Sequence, residues 1–315
     1  MMEASSTLET LMGSIEHAAA ELARTVSSGT VIRRHEPMAK RTTLRVGGAA
    51  DLYVEPGHEE DLASVLSFCR EHRLPSLVLG RGSNLLVKDG GFHGVVICLS
   101  QLNFSRIEIF GNRLRCGAGA RLKAVAIEAK RHQLAGLEFL EGIPGSVGGG
   151  LRMNAGAMGA ATFEVVESVR LMDLDGNTMH RDLEELAVEY RSCATLKSQI
   201  ALGAVLRGRP DSRAAIEERM NEFSRKRWQS QPAAPSAGCM FKNPATIPAG
   251  KLLDELGLKG TRIGGAMISQ EHGNFIVNAG GAAAEDFLEL IALAKGRARE
   301  ERGIELQTEV EIIGD

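Results

Sequence analysis

The chain has 315 residues, of which 43% are hydrophobic and 24% charged, and this ordinary globular composition excludes wholesale disorder. Its 37 basic and 40 acidic residues leave a formal net charge of −3, so electrostatics favours neither nucleic acid nor an anionic membrane as a partner. The length favours two domains, and no apolar run reaches the roughly eighteen residues of a membrane span. Glycine is unusually frequent, with 36 residues, against an average share of about 7%.

The cysteines and histidines exclude two common kinds of site. The five cysteines are scattered and contain no C-x-x-C pair, which argues against a disulfide framework or a zinc ribbon and suits a reducing compartment. The eight histidines include neither an H-E-x-x-H motif nor a clustered pair, so we expect no metal. The first residues, Met1-Met2-Glu3, lack the basic region of a signal peptide. These features predict a cytoplasmic protein that binds no nucleic acid and no membrane.

The first half of the chain predicts alternating helices and strands. Residues 6–26 place apolar side chains on one helical face, and Ser6 with Glu9 fits a capping box at the start. A β-α-β arrangement follows, and then a hairpin that turns at Gly111-Asn112. The predicted elements are strand 50–54, helix 58–72, strands 76–79 and 95–99, hairpin strands 106–110 and 114–116, and helix 121–132.

The second half predicts a further sheet and then a separate small domain. Strands at 165–173 and 200–207 flank a turn at Asp175-Gly176, and a helix covers 211–229. The proline-rich stretch 231–236 acts as a hinge after that helix, which places a domain boundary near residue 209. The last predicted elements, typical of a small α/β layer domain, are helix 251–256, strand 275–278, helix 285–302 and strand 304–313.

The loop Gly80-Arg81-Gly82-Ser83-Asn84 follows a predicted strand and is a candidate anion cradle. Glycine leaves backbone N–H groups accessible, while Ser83 and Asn84 add a hydroxyl and an amide donor, a combination suited to phosphate. A tight turn between two strands explains the same residues equally well. The loop lacks the lysine of a P-loop and the spacing of a nicotinamide-binding G-x-G-x-x-G motif, so neither fold is indicated.

The segment from Gly142 to Gly159 contains seven glycines in eighteen residues, which predicts neither a regular helix nor a strand. Ile143, Val147 and Leu151 are interleaved with the glycines and predict that this backbone is buried. Buried irregular backbone needs partners for its N–H and C=O groups. A large flat ligand edged with polar atoms, such as a flavin, would supply them, and we favour this interpretation over a purely structural loop.

Three further residues are open to a structural or a functional interpretation. Arg191, which follows Tyr190 in a loop, fits an ordinary surface charge. Cys239 follows a glycine, and free cysteines are more often buried filler than catalytic groups. Glu309 lies on the last predicted strand, either as an edge charge or as an inward-pointing functional group, and the pattern slightly favours the edge charge.

Taken together, these segments resemble the UDP-N-acetylenolpyruvoylglucosamine reductase (MurB) family from about Arg41 to the C-terminus, in order and with matching spacing. The first motifs are shared with flavoproteins of the vanillyl-alcohol-oxidase type, whereas the last are specific to the reductases. The matching motifs are Thr43–Gly48, Gly80–Leu86, Gly136–Glu138, Pro144–Gly149, Asn154–Ala157, Tyr190-Arg191, Ala237–Pro244, Gly264–Ala266, Phe275–Asn278 and Glu309-Val310.

The resemblance implies an α+β fold in which a two-subdomain, PCMH-type FAD-binding domain precedes a smaller α/β substrate-binding domain. On this sequence an N-terminal helical segment covers 1–40, the FAD domain covers 41–208 with subdomains of about 41–102 and 103–208, and the substrate domain covers 209–315. The implied reaction uses non-covalent FAD, with NADPH as co-substrate, to reduce enolpyruvyl-UDP-N-acetylglucosamine to UDP-N-acetylmuramate for bacterial peptidoglycan. The UDP-sugar and NADPH are the expected partners, and we expect a monomer.

The resemblance also assigns roles to particular residues. Arg191 matches the cation that stabilises an enolate, Glu309 matches the family's carboxylate, and Cys239 stands at the position of the proton donor. The substrate-binding positions fall on Tyr190, Arg227, Lys242, Asn243 and His272. The cofactor-binding positions fall on Gly80, Arg81, Gly82, Ser83, Asn84, Gly119, Gly142, Pro144, Gly145, Ser146, Gly148, Gly149, Asn154, Gly156 and Ala157.

Two features refine the match. The segment between Arg191 and Ile200 is too short for the tyrosine-bearing loop of one family form, so the chain resembles the shorter type II form, in which Arg227 matches a basic residue. Cys239 departs from the family's usual serine donor. A thiol, with a reference pKa of about 8.5, is a stronger acid than an alcohol and is largely protonated at neutral pH. It would donate at least as easily, although ionisation or oxidation would remove the proton.

Two other functions fit the same sequence. One is a flavin oxidase or dehydrogenase of the same cofactor fold that acts on another substrate, which is mildly disfavoured because the glycine segments hold no histidine or cysteine placed for covalent flavin attachment. The other is a catalytically inactive sugar-nucleotide-binding protein. Bound flavin would exclude the inactive binder, and NADPH oxidation that depends on the enolpyruvyl substrate would exclude the oxidase.

Overall fold

The structure, a computed structural model, describes residues 15–315, so the predicted capping box at Ser6 and Glu9 lies outside the described residues. The helices are α1 (residues 15–25), α2 (Glu59–Glu71), α3 (Leu102–Ser105), α4 (Leu122–Arg131), α5 (Val147–Arg152), α6 (Thr195–Ser198), α7 (Arg213–Ser230), α8 (Ala249–Glu255) and α9 (Ala284–Arg302). Short 3-10 helices cover Met38–Lys40, Glu138–Gly142, Thr162–Glu164 and Leu183–Glu185.

The strands are distributed along the whole of the described chain. Those before residue 150 are β1 (Val31–Pro37), β2 (Ala49–Glu55), β3 (Ser76–Leu79), β4 (Leu85–Val87), β5 (Phe92–Cys98), β6 (Ile107–Phe110), β7 (Arg113–Gly117) and β8 (Leu134–Ala135). The next are β9 (Gly156–Ala157), β10 (Ala160–Ala161), β11 (Val166–Met172), β12 (Thr178–Asp182), β13 (Val188–Glu189), β14 (Ser192–Cys193), β15 (Ile200–Arg207) and β16 (Arg209–Pro210). The last are β17 (Ser236–Cys239), β18 (Arg262–Ile263), β19 (Ala266–Ile268), β20 (Phe275–Asn278) and β21 (Glu311–Ile313).

The chain divides into two compact units, neither of which is continuous in sequence. The first unit ends at Asn221 and lacks two segments, 37–49 and 81–92, which belong with 222–315 in the second unit. The pairing of β4 with β21 explains part of this exchange, because Leu85–Val87 aligns in parallel with Glu311–Ile313 near the end of the chain. The predicted cofactor and substrate domains, 41–208 and 209–315, are contiguous by contrast, and that functional division stays a prediction.

The first unit contains a four-stranded sheet in the order β1-β2-β5-β3, in which β3 and β5 are parallel. Helix α2 matches the helix predicted at 58–72 and buries an apolar face. Near its start, the Asp61 carboxylate accepts hydrogen bonds from the backbone N–H and the hydroxyl of Ser27, both at 2.7 Å. Asp61 thereby ties the loop after α1 to the first turn of α2. The predicted β-α-β arrangement is present, with β1 as an additional edge strand.

The other large sheet of the first unit has five strands in the order β12-β11-β15-β7-β6. The strands predicted at 165–173 and 200–207 pair with each other, but the prediction that they flank the Asp175-Gly176 turn is wrong. That turn leads from β11 into β12, which pairs along the other side of β11. The pattern hid β12 because its side chains are polar and mostly exposed, so the strand lacks apolar alternation.

The glycine-rich segment contains the short helix α5, which corrects the prediction that this segment holds no regular structure. Ser146 is its N-cap, and the Ser146 hydroxyl accepts a hydrogen bond from the Gly149 N–H at 3.4 Å. The N–H groups of Val147 and Gly148 donate to the carbonyls of Ala120 and Ala118, both at 2.8 Å. These tertiary contacts, rather than helix propensity, decide the conformation of a helix with three glycines.

The second unit contains a four-stranded antiparallel sheet in the order β17-β20-β19-β18, against which α9 packs. Helix α9 confirms the helix predicted at 285–302 and ends at Gly303, which adopts a left-handed conformation with φ of 63°. The strand predicted at 304–313 is wrong in length, because only Glu311–Ile313 forms a strand. Thr308 instead makes an isolated bridge to Phe241, which keeps the residues before β21 irregular.

The mixture of antiparallel sheets, short parallel pairings and helices confirms the predicted α+β class. Within residues 15–315, no helix combines the length and the apolar character that a membrane crossing needs. The same residues bring together no group of three histidine, cysteine, aspartate or glutamate side chains that would hold a metal ion.

Candidate functional site

The first unit brings Gly80 and the start of α5 together, although they are far apart in sequence. A Cβ atom on Gly80 would lie 2.7 Å from Ser146 Oγ and 3.9 Å from the N and Cα atoms of Gly149. Glycine at residue 80 therefore allows the turn after β3 to approach the N-cap of α5. Three residues predicted to bind the cofactor, Gly80, Ser146 and Gly149, are neighbours in the structure.

Most backbone donors at the start of α5 have hydrogen-bond partners inside the protein, so the prediction that they need a ligand as partner is wrong. The N–H of Gly145 donates to Ile143 O at 2.8 Å, and the N–H of Gly150 donates to Ser146 O at 2.8 Å. The segment is also less buried than predicted, because Pro144 is exposed and Gly142, like Gly145, is half-buried. A ligand is not needed to satisfy this backbone, so these hydrogen bonds do not indicate a flavin.

The available space singles out Gly149 among the three glycines of α5. A Cβ on Gly148 would lie 3.1 Å from Ala118 Cβ, and one on Gly150 would lie 3.2 Å from Leu122 Cδ1, so neighbouring side chains explain both glycines. A Cβ on Gly149 would meet only Ser146 Oγ, at an ordinary 3.5 Å. Inside a helix, glycine costs about 1 kcal/mol relative to alanine. A half-buried glycine with open space above it fits a flat cofactor that lies against the backbone.

The segment Asn154–Ala157 and the pair Tyr190-Arg191 also lie side by side in the first unit. Tyr190 and Arg191 form the two-residue turn between β13 and β14. The Asn154 side-chain amide donates to Glu189 O at 3.1 Å, just before this turn. A Cβ on Gly156 would lie 2.7 Å from Ala160 O, so the backbone of β10 already requires glycine there, and Arg191 Nη1 lies 3.0 Å from the same position.

The backbone around this turn is held in a costly conformation. Asn154, Met158 and Arg191 have φ angles of 39°, 54° and 56°, which are uncommon for residues other than glycine. Such residues are concentrated at functional sites, where the surrounding structure holds the strain. The guanidinium carbon of Arg191 lies 5.2 Å from the centroid of the Tyr190 ring, and the Tyr190 side chain is 58% exposed. Arg191 therefore combines an uncommon backbone conformation with a position beside the exposed Tyr190 ring, and its role in catalysis stays a prediction.

Two glycines that were predicted to contact the cofactor have explanations within the protein. Gly82 has φ of 59°, and a Cβ there would clash with the carbonyl oxygen of Arg41. Gly119 packs so closely against the carbonyl of Leu99 that no side chain fits. Their identity as glycine therefore carries no information about a ligand, and their role in cofactor binding, like that of exposed Arg81 and half-buried Ser83, stays a prediction.

In the second unit, Asn84 and Met240 hold the backbone of Glu309 from two sides. Asn84 Nδ2 donates to Glu309 O at 3.0 Å. The amide that was predicted to bind a phosphate therefore has a hydrogen-bond partner within the protein. The N–H of Glu309 donates to Met240 O at 2.8 Å. Glu309 lies before β21 rather than on it, and its side chain is half-buried. The interpretation of Glu309 as an edge-strand charge is therefore wrong.

Cys239 ends β17 directly after an irregularity in the strand. Ser236 pairs with Val277 and Cys239 pairs with Phe275, so the register shifts by one residue between them, as in a β-bulge. Gly238 lies within the shift with φ of 77°, and its backbone conformation rather than lack of space favours glycine. Cys239 is half-buried, whereas Cys69, Cys98, Cys116 and Cys193 are buried. Bulges often re-aim a side chain next to an active site.

Asn274, which the sequence analysis missed, holds the residues that follow Cys239. Its side chain is 2% exposed, and its Oδ1 accepts the Phe241 N–H at 2.9 Å while its Nδ2 donates to Phe241 O at 2.8 Å. Its own carbonyl accepts the Met240 N–H at 2.8 Å. A possible signal was the asparagine directly before the apolar strand 275–278, because a buried polar side chain needs partners. Only the fold identifies those partners.

His272 has an internal partner for one ring nitrogen. Its Nδ1 accepts the Asn274 N–H at 3.1 Å, and its ring meets the Phe275 ring edge-on with centroids 4.9 Å apart. Burial, and then the positive charge of Lys259, lower the pKa of His272, while a hydrogen bond to its own backbone opposes this change. The neutral imidazole that accepts the Asn274 N–H is therefore favoured.

The remaining predicted substrate residues of the second unit lie at the surface or half-buried. Asn243 is exposed, and its Oδ1 accepts the Ala249 N–H at 3.0 Å, at the start of α8. Lys242 and Arg227 are half-buried, Arg227 in the last turn of α7. The described contacts thus group Asn84, Cys239, Lys242, Asn243, His272 and Glu309 in the second unit, whereas Arg191 belongs to the first.

Comparison with known proteins covers both parts of the chain. Residues 50–181 match a family model described as "FAD binding domain", and residues 231–313 match one described as "UDP-N-acetylenolpyruvoylglucosamine reductase, C-terminal domain". The reductase of Pelobacter propionicus is 43% identical over 282 residues, which cover 89% of this chain and 95% of the relative. The reductase of Syntrophomonas wolfei is 39% identical over 286 residues, which cover 90% and 95%.

A solved structure agrees with these matches. The crystal structure of MurB from Thermus caldophilus has a TM-score of 0.79 and 39% sequence identity to this chain, and the match covers 90% of this chain and 99% of that protein. The FAD-binding domain precedes the reductase C-terminal domain in the order that the motifs predicted, and FAD is the cofactor. The chain belongs to the UDP-N-acetylenolpyruvoylglucosamine reductase family of flavin-dependent oxidoreductases.

Proposed function

We propose that this chain reduces enolpyruvyl-UDP-N-acetylglucosamine to UDP-N-acetylmuramate, a precursor of peptidoglycan, with NADPH as the reductant and non-covalent FAD as the hydride carrier. The observation that carries the proposal is the order of two matched domains on one chain, FAD-binding and then reductase-specific. Relatives named as this reductase match most of the chain at about 40% identity, which supports the same substrate. The choice of NADPH as the reductant rests on the resemblance to the family as a whole.

The residues for the cofactor are those around Gly80, the start of α5 and Asn154–Ala157. The open space above Gly149 and the contact between Gly80 and Ser146 fit a flat ring system and its chain against backbone. When bound, FAD supplies a hydride acceptor for NADPH and then a hydride donor for the terminal carbon of the enol ether. The protein's part is to hold the substrate carboxylate, to stabilise negative charge and to deliver one proton.

Arg191 stabilises the charge that develops on the substrate. Addition of hydride to the terminal carbon turns the neighbouring carbon and its carboxylate into an enolate, so negative charge accumulates next to the carboxylate. A planar guanidinium can hold two carboxylate oxygens at once, whereas an ammonium acts as a point charge. The guanidinium lies beside Gly156, within the segment predicted to bind the cofactor, which supports a role in electrostatic stabilisation of this charge.

Cys239 donates the proton that completes the reduction, and Glu309 assists the proton transfer. The thiol is the half-buried one among the five, and it directly follows a bulge in β17, the kind of irregularity that often re-aims a side chain. Glu309 is connected to the segment after Cys239 through the hydrogen bond from its N–H to Met240 O. Acid catalysis of this kind typically contributes 10²–10⁴-fold.

The sugar nucleotide is held by positively charged side chains and by neutral polar or aromatic side chains. Arg227 and Lys242 supply positive charge suited to a diphosphate. Tyr190, Asn243 and His272 supply an aromatic face and hydrogen-bonding groups for the sugar and the base. These assignments rest on the family resemblance, and the exposed or half-buried state of the five side chains is compatible with ligand contact.

The proposal is tested by separating the two half-reactions in anaerobic stopped-flow experiments on the purified holoenzyme. NADPH should bleach the absorbance of oxidised flavin, and the enolpyruvyl substrate should then restore it and yield UDP-N-acetylmuramate. A protein purified without flavin would instead indicate an inactive sugar-nucleotide binder. A reduced flavin that is reoxidised by other acceptors but not by the enolpyruvyl substrate would indicate an oxidase or dehydrogenase of another substrate.

A further inference from the structure

We propose that Asn274 is a positioning residue for the protonation step, because its buried carboxamide fixes the segment that carries Cys239 relative to Glu309. This inference rests on the proposed function. Asn274 is assigned no contact with substrate or cofactor, and it acts through the backbone of residues 239–242. Its side chain is 2% exposed and makes two hydrogen bonds to a single residue, Phe241, one as donor and one as acceptor.

Residues 240–242 are gripped along both edges of their backbone. On one edge, the N–H and C=O of Phe241 meet the carboxamide of Asn274 at 2.9 and 2.8 Å, as they would meet a peptide of a neighbouring strand. On the other edge, Met240 O accepts the Glu309 N–H at 2.8 Å, and the Lys242 N–H donates to Gln307 O at 2.9 Å. Residues 240–242 therefore lie between the Asn274 carboxamide on one edge and the backbone of residues 307–309 on the other.

This arrangement connects the proposed donor with the proposed carboxylate through one residue. Cys239 precedes Met240, and Met240 O is the acceptor for the Glu309 N–H. Phe241 is 1% exposed, so removal of the Asn274 carboxamide would leave two buried backbone groups without partners. The segment must then shift or admit water, and either change moves Cys239 relative to Glu309. A shift of about 1 Å in a reacting group is enough to cost about 100-fold in rate.

The same strand offers a matched control. Asn278, at the other end of β20, also uses its carboxamide on backbone groups: its Nδ2 donates to Leu44 O at 3.1 Å, and its Oδ1 accepts the Gly280 N–H at 3.0 Å. The hydrogen bonds of its side chain, to Leu44, Gly280 and Ala282, lie outside residues 239–242 and 307–309. Asn278→Leu therefore reproduces the loss of a clamping amide without touching the segment of interest.

The experiment compares Asn274→Leu, Asn278→Leu and the wild-type holoenzyme in the two half-reactions and in product stereochemistry. Protonation creates a stereocentre at the carbon that bears the ether oxygen and the carboxylate, so epimeric purity, measured by NMR, reports the direction of proton delivery. For Asn274→Leu we expect flavin reduction by NADPH within about twofold of wild type, and reoxidation by substrate slower by at least about tenfold. We also expect a measurable fraction of the second epimer. Asn278→Leu should match wild type in all three.

Several outcomes would overturn the inference. These are wild-type reoxidation and purity in folded Asn274→Leu, an equal slowing of both half-reactions, or the same loss in Asn278→Leu. If Asn274→Leu does not fold, Asn274→Asp, which keeps an acceptor for the Phe241 N–H, must show the same split. Loss of flavin from both Asn274 variants with Asn278→Leu intact would assign Asn274 to folding instead. Failure of the wild type to react with the enolpyruvyl substrate would count against the proposed function and not against Asn274.

Discussion

Cys239 is the residue at which this chain departs from the serine that its resemblance implies, and its substitution separates chemistry from packing. Cys239→Ser should keep substantial activity, because the hydroxyl restores a proton donor. Cys239→Ala should slow flavin reoxidation by substrate by roughly 10²–10⁴-fold, with NADPH-driven flavin reduction intact in both variants. Single-turnover measurements distinguish the two steps. If Cys239→Ala reoxidises at a near-native rate, Cys239 is packing and the proton comes from water or Glu309.

Alkylation supplies a control on the same thiol. Burial raises the pKa of Cys69 to about 11 and that of Cys116 to about 12, and it also raises the pKa of Cys193. Because thiolate is the reactive form, these thiols should resist iodoacetamide at neutral pH. Peptide mapping should find the label on half-buried Cys239, with loss of activity in the wild type but not in Cys239→Ser. Inactivation of Cys239→Ser at the wild-type rate would assign the effect to another residue.

Replacement of Arg191 by lysine separates the geometry of the guanidinium from its charge. Arg191→Lys should fold and bind FAD, but its rate of reduction of the enolpyruvyl substrate should be about 10²–10³-fold lower than that of the wild type. The reason is that an ammonium cannot hold the carboxylate with two parallel hydrogen bonds. Flavin reduction by NADPH should be nearly unchanged, because Arg191 acts on the substrate alone. Rapid-mixing traces of each half-reaction test this, and equal slowing of both would contradict the assigned role.

In helix α5, we expect a single substitution to stabilise the apoprotein and at the same time to weaken FAD binding. Gly149→Ala places a methyl group 3.5 Å from Ser146 Oγ and otherwise in open space, so the apoprotein should gain about 0.5–1 kcal/mol in its free energy of unfolding. The same methyl group should obstruct the flavin and weaken FAD binding by at least about tenfold, or 1.4 kcal/mol. Denaturation of the apoprotein and titration with FAD measure the two effects.

Gly150→Ala is the matched control for this prediction. Its methyl group would lie 3.2 and 3.4 Å from the two methyl carbons of Leu122, so overpacking should destabilise the apoprotein. Unchanged FAD affinity in Gly149→Ala would show that no cofactor lies against residue 149.

The start of helix α2 is expected to make stability depend on acid pH. Burial disfavours the charge of Asp61, but hydrogen bonds from the backbone and hydroxyl of Ser27, and from Thr30 and His58, outweigh burial and hold the pKa of Asp61 below its usual value. The folded state therefore binds this proton less readily than the unfolded state. The resulting stability is present above the unfolded pKa, near 4, and is lost as pH falls through the lowered folded pKa.

Asp61→Asn tests this expectation. At pH 7 the variant should lose about 1–3 kcal/mol of unfolding free energy, because charge-assisted hydrogen bonds become weaker or unpaired. The difference from wild type should shrink as the pH falls below about 4. Chemical denaturation at pH 7 and at pH 3 measures both values, and a difference that grows toward low pH would have the wrong sign for this argument.

For the whole molecule, we expect the flavin to be released when the fold is lost. A cofactor held by backbone contacts around Gly80 and Gly149, without a covalent bond, should leave with the tertiary structure that brings these residues together. After heat denaturation and centrifugation, all of the flavin absorbance should be in the supernatant. Flavin that remains with the pellet would indicate a covalent attachment and would contradict the assigned binding mode.

Local patterns and motifs in the sequence are sufficient to predict the class of the fold, the longer helices and the family. Helices α2, α4 and α9 were predicted closely because each carries an apolar face with a helical period, which is a local property. Arg191, Cys239 and Glu309 were identified by the motifs around them, although composition and periodicity favoured surface or packing roles. The polar edge strand β12 and the helix α5 escaped prediction, since neither has the pattern of its own secondary structure.

Which distant residues meet, and why certain residues are needed, follows from the three-dimensional fold and not from local patterns. The fold brought Gly80 to Ser146, set the Arg191 guanidinium beside Gly156, and explained Gly82 and Gly119 without a ligand. It also moved Glu309 off a strand and revealed the clamp of Asn274 on Phe241. The physical reason is that hydrogen-bond partners and steric room are set by segments far apart in sequence, whereas the periodicity of a helix or strand is carried by the segment itself.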